Sequence, residues 1–156
     1  MQKMKWIPIL AVGLVAMTGM AWAADTGTIT VTVSLQSISV SLDNSTWDIG
    51  PIALGGTNVL PTVTATNDGN VNIDLAIKGA DGAGAWAIGT QGADTFEVDV
   101  ASPVLTLSTT NQTLASSLAP SGTKTIDLTY KAPTSDTKGP SVAQGFAITI
   151  TASKTP

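Results

Sequence analysis

The chain has 156 residues, 12% of them charged, with a formal net charge of −4 and neither cysteine nor histidine. Without those two side chains, Ser-His-Asp and Cys-His triads, the usual neutral-pH general base and Cys- or His-bearing zinc sites are all excluded. There is no arginine, so the electrostatic footprint of a phosphate-backbone binder is missing and nucleic acid is not an expected partner.

The first 23 residues have the layout of a secretory signal. Lys3 and Lys5 form a basic start, Ile7 to Met20 an apolar stretch, and Ala21-Trp22-Ala23 a small-x-small cleavage site. The apolar run is short for an uncleaved anchor, and the cleavage site follows it directly. A mature chain starting at Ala24 or Asp25 keeps about 133 residues, five lysines and eleven acids, hence a net charge near −6. That length suits one domain with a core large enough to do without disulfides. The expected localisation is secreted, extracellular or at the cell surface, with the periplasm as an alternative, and no membrane span is expected in the mature chain.

Residues 24–36 are expected as an N-terminal strand. Ile29, Val31, Val33 and Leu35 occupy odd positions, and Ile38, Val40 and Leu42 even ones, so the apolar face changes phase at Gln36-Ser37. A bulge, a change of sheet or a change of molecule accounts for such a break. Burial of the four odd residues is worth about 1.5 to 3 kcal/mol each, comparable in sum with the ~5 to 15 kcal/mol net stability of a domain. The row must therefore be covered, either as a first strand of its own sandwich or as a strand donated to a neighbour.

Residues 37–156 are expected to form the sandwich itself. Asp43-Asn44-Ser45 is turn chemistry, Trp47 to Ile52 follows, and Gly55-Gly56 punctuates the chain. In the stretch from Thr62 to Gly79, Val63 and Ala65 alternate with threonines before Asn67-Asp68-Gly69-Asn70. Val71, Ile73, Leu75 and Ile77 alternate with polar residues and alanine after it. This predicts a hairpin closed by Asp-Gly. Trp86 and Ile88 restart a short strand after a glycine-rich loop. Phe96, Val98 and Val100 face inward opposite Thr95, Glu97 and Asp99. The Ser/Thr-rich run from Ser108 to Ser117 resembles a linker, with Leu114 and Leu118 packing it as an irregular edge. Ile126, Leu128 and Tyr130 mark the next strand, residues 132–141 a loop, and Phe146, Ile148, Ile150 and Ala152 the last strand. The fold class is thus all-β, a single antiparallel sandwich of about seven to nine strands.

For chemistry there remain carboxylates and aromatics. Glu97 and Asp99 share a strand face with Asp94 nearby, the spacing of a glycosidase pair, but an ordinary solvated face accounts for the same alternation. Asp68-Gly69 and Asp81-Gly82 lack the density of calcium loops and read as turns. Neither cofactor nor metal is expected, and the protein is expected not to be an enzyme. Trp47 and Trp86 adjoin turns; an exposed aromatic platform there would bind sugar, but core packing at the sandwich ends is the better account of them. Asn44-Ser45-Thr46 and Asn111-Gln112-Thr113 fit the N-glycosylation sequon.

The segments WDIGPIALGG, VTATNDGNVNIDLAIKG and LAPSGTKTIDLTYKAP, with the terminal ITITAS, resemble abnormal-spindle-type and other secreted Ig-like domains. With the leader and the row from Thr28 to Leu35, the chain resembles, more narrowly, fibre subunits of the TasA and bundling-pilus kind. The resemblance implies an Ig-like sandwich and carries no catalytic residues. It also implies a structural surface protein of a matrix or filament, self-associating by N-terminal strand donation. The alternative is a carbohydrate-binding or adhesin module recognising a surface glycan or protein.

Overall fold

A computed structural model describes residues 30–84, 86–138 and 144–156. The expected signal sequence, residues 24–29 of the expected N-terminal strand and part of the loop at 132–141 lie outside the described residues. The chain divides into units at Met1–Val33 and Ser34–Pro156. Residues 30–33 of the first carry no strand, and Val31 and Val33 are 77% and 78% exposed.

The second unit is an all-β sandwich without helix among the described residues. Its eleven strands are β1 Val40–Leu42, β2 Thr57–Val59, β3 Val63–Asn67, β4 Ile73–Gly79, β5 Ala87–Ile88, β6 Thr95–Val100, β7 Leu105–Thr106, β8 Gln112–Leu118, β9 Thr123–Ile126, β10 Leu128–Lys131 and β11 Ile148–Lys154. The count exceeds the expected seven to nine partly because two long strands are interrupted at the same level. β2 and β3 pair with β10 and β9, but the register slips by one residue around Pro61-Thr62, opposite Asp127. Proline has no N–H to give the ladder, and the hydroxyl of Thr62 donates to the Asp127 carboxylate at 2.7 Å across the slip. The ladders β1-β3-β9 and β2-β10-β6-β5, with β7 on β6 and β5 parallel to it, run into each other across this slip as one bent layer. The other sheet has the order β11-β4-β8.

Val63 and Ala65 of β3, Phe96, Val98 and Val100 of β6, Ile126 of β9, and Leu128 and Tyr130 of β10 meet Ile73, Leu75 and Ile77 of β4 and Leu114 of β8 in one core. The period-two alternation puts those side chains on the inner faces. Phe96, Tyr130 and Phe146 cluster with ring centroids 4.6 to 5.8 Å apart.

Two expectations are corrected. β3 and β4 do not form a hairpin: β3 pairs with β1 and β9, β4 with β11 and β8, and the turn between them carries the chain from one sheet to the other. Asn67 makes that crossing. It is fully buried, its amide donates to the carbonyls of Val71 and Leu118 (both 2.9 Å), and its oxygen accepts from the Gly69 N–H. Gly69 is needed for space: a Cβ there would lie 2.3 Å from the Ser37 carbonyl oxygen. Secondly, residues 30–39 form no strand, and β1 begins only at Val40. The run expected as an irregular edge is one: β8, seven residues long, stands at the edge of its sheet and pairs with β4 across two irregularities of register, with Leu114 in the core and Leu118 packed against it.

Candidate functional site

Between β1 and β11, each at the edge of its sheet, lies a cleft of about 960 Å³. Its floor consists of Leu60, Val63, Ile77, Ile126, Leu128 and Tyr130, the inner face of the core. One wall is Leu42 with the strand-free segment 44–52; the other is residues 144–148 with Ile150. The segment 44–52 is shaped by Asx turns, in which Asn44 accepts from the Thr46 N–H and Asp48 from the Gly50 N–H. Local turns of this kind satisfy its backbone without a ladder.

The wall formed by β11 has an unpaired edge. Its register on β4, with N–H to carbonyl bonds from Ala80 to Ala147 and from Thr155 to Asn72, places the odd residues against β4. In an antiparallel ladder the N–H and C=O of Ile148, Ile150 and Ala152 therefore point to the other side, where no strand stands among the described residues. The side chains of the same three residues face inward and are half-buried.

Trp47 and Trp86 both line this cleft and are half-buried, so they do not form a flat exposed platform. The Trp86 indole N–H donates to Asp136 at 3.3 Å. That of Trp47 is buried without an acceptor among the described residues. Of the row singled out in the sequence, Val31, Val33 and Leu35 are exposed, Leu35 by 84%. The chain just after it is fixed. Asn70 accepts from the Ser37 N–H and donates to the Leu35 carbonyl, while the Asn70 and Asp68 N–H groups reach the carbonyls of Ser37 and Ser39. Gln36 accepts from the Lys154 ammonium at 2.9 Å, which puts it beside the C-terminal end of β11. Sequence periodicity found the row, but the cleft arises from strand order and no local pattern announces it.

The acid pair on β6 is elsewhere and is not a solvated face. Glu97 is only 8% exposed. Lys131, opposite it on β10, forms ion pairs with Glu97 and, at 2.7 Å, with Asp99. The second Glu97 oxygen accepts from the Gln91 N–H, and Asp99 accepts from the Thr106 hydroxyl, both at 2.7 Å. Burial opposes ionisation of Asp99, but the hydrogen bonds from Lys131 and Thr106 outweigh it and hold its pKa below the ordinary value. The bonds to Asp99 and Glu97 raise that of Lys131. Each carboxylate is thus engaged by Lys131. Asp81 closes its loop by accepting from the Ile88 N–H. Of the sequon asparagines, Asn111 is exposed and Asn44 half-buried.

Comparison with protein-family models, curated proteins and solved structures returns no match.

Proposed function

We propose that this is a secreted, non-enzymatic structural protein of the cell surface or extracellular matrix, a filament subunit that self-associates by donating its N-terminal segment to a neighbouring copy. The observation that carries this reading is the exposed row of Val31, Val33 and Leu35 in a stretch without strand partners. Alternating apolar residues left in water are a template for strand addition. The purified mature chain is expected to form sodium dodecyl sulfate-resistant polymers that grow with concentration and appear as filaments by negative-stain microscopy. A concentration-independent monomer would remove the proposal.

A second reading, a carbohydrate-binding module, draws on Trp47 and Trp86 at one cleft and on the unmet indole N–H of Trp47. It requires that polysaccharide shift or quench tryptophan emission of the monomeric protein, whereas the structural role leaves the emission unchanged.

A further inference from the structure

We infer that the acceptor for the donated segment is the cleft beside β11, and that the segment Thr28 to Gln36 of a second copy fills it as an added strand on the free edge of β11. This rests on the donation reading and specifies its other half. Five features of the cleft match that segment.

Ile148, Ile150 and Ala152 offer a row of N–H and C=O groups at a free edge, which another extended backbone can pair as a ladder. β11 is seven residues long, and Ile29 to Leu35 is a run of the same length. An added strand presents alternate side chains to the floor. The segment has apolar residues at alternate positions, and the floor between the two edges is apolar. Charge agrees as well: residues 26–42 include no charged side chain, and Asp48 is the single ionisable acid or base among the cleft residues apart from Tyr130. A backbone carbonyl entering the cleft would also supply an acceptor of the kind the Trp47 indole lacks. A second copy supplies the segment, whose Val31, Val33 and Leu35 are exposed and in need of cover.

The register provides an unusually clean test. The N–H of Ala152 points to the free edge, so Ala152→Pro removes an acceptor-edge donor and leaves the β4 ladder intact; proline is tolerated at such an edge position. The mature full-length chain is compared with Ala152→Pro and with the donor variant Val31→Asp/Val33→Asp, each checked for a native thermal transition. Ile148→Lys, which brings a charge into the cleft at the same edge, replaces Ala152→Pro if the latter does not fold.

The inference expects both variants to lose polymers by about tenfold or more. Mixing them is expected to give dimers that grow no further, since one has an intact donor and the other an intact acceptor. If the acceptor variants polymerise like the parent while the donor variant does not, the cleft is not the acceptor although donation stands. If the parent is monomeric, or the donor variant polymerises as well as the parent, donation itself is overturned.

Discussion

The ammonium of Lys131 sits between Glu97 and Asp99, and its removal would leave a nearly buried carboxylate without a cation. Lys131 itself is about one-third exposed, which moderates the effect. Lys131→Met is expected to lower the urea-unfolding midpoint, mostly from the uncompensated Glu97. The double variant Lys131→Met/Glu97→Gln should regain part of that loss, because the orphaned charge goes with the glutamate. Equal stability of Lys131→Met and the parent would show the ion pairs to be ordinary surface contacts. In the sequence Glu97 is simply a polar residue between Phe96 and Val98. Its burial comes from Gln91, whose N–H reaches one oxygen and whose side-chain amide binds the Ala132 carbonyl.

At the scale of elements, the informative unit is the stretch 35–43 and the inter-sheet turn that receives it. β1 continues this stretch along β3 as far as the bond from the Asp43 N–H to the Thr64 carbonyl, and the Asp43 carboxylate accepts from the Thr64 N–H in return. The packing leaves no room for a side chain at Gly69, where the close atom is the backbone oxygen of Ser37. Gly69→Ala is therefore expected to pry residues 37–39 from the turn at a cost of about 1 to 3 kcal/mol. Hydrogen exchange should speed up at the N–H groups of Ser37, Asp68 and Asn70 ahead of those in β4. Unchanged protection at these three amides would contradict the close approach. The sequence Asn-Asp-Gly signals a reversal there, and the reversal is real. That it joins two sheets instead of two paired strands depends on partners 50 residues away, such as the Leu118 carbonyl bound by Asn67.

For the whole molecule, the absence of histidine determines the shape of its pH dependence. The Asp43 carboxyl is held below its ordinary pKa mainly by the Thr64 N–H, that of Asp94 by the hydroxyl and N–H of Thr137, and that of Asp99 by Lys131 and Thr106 against its burial. Groups lowered in the folded state add stability above their unfolded value of about 3.9 and lose it as pH falls through the folded value. Lys131, raised by its two carboxylates, adds stability below its unfolded value of about 10.4 and loses it only as pH rises through a still higher one. Burial raises the pKa of Tyr130, which disfavours the fold only where the unfolded phenol ionises, near pH 10. The thermal midpoint should accordingly be level from about pH 5 to 9 and drop below about pH 4. A steep change between pH 5 and 8 would conflict with this set of groups.

Alternation by itself determined which faces of β3, β4, β6, β9/β10 and β11 are apolar, because a strand's side chains change sides at each residue whatever its neighbours. It also determined the all-β class and singled out the apolar row at Val31, Val33 and Leu35, whose exposure only the structure shows. Strand order was decided only in the tertiary structure, since pairing joins residues far apart in sequence: β3 with β9, β4 with β11, and β8, hidden among serines and threonines, with β4. From that order follow the two edge strands, the cleft between them and the unpaired N–H and C=O groups of β11. An edge is the lack of a neighbour, and a local sequence pattern does not encode which neighbour a strand lacks.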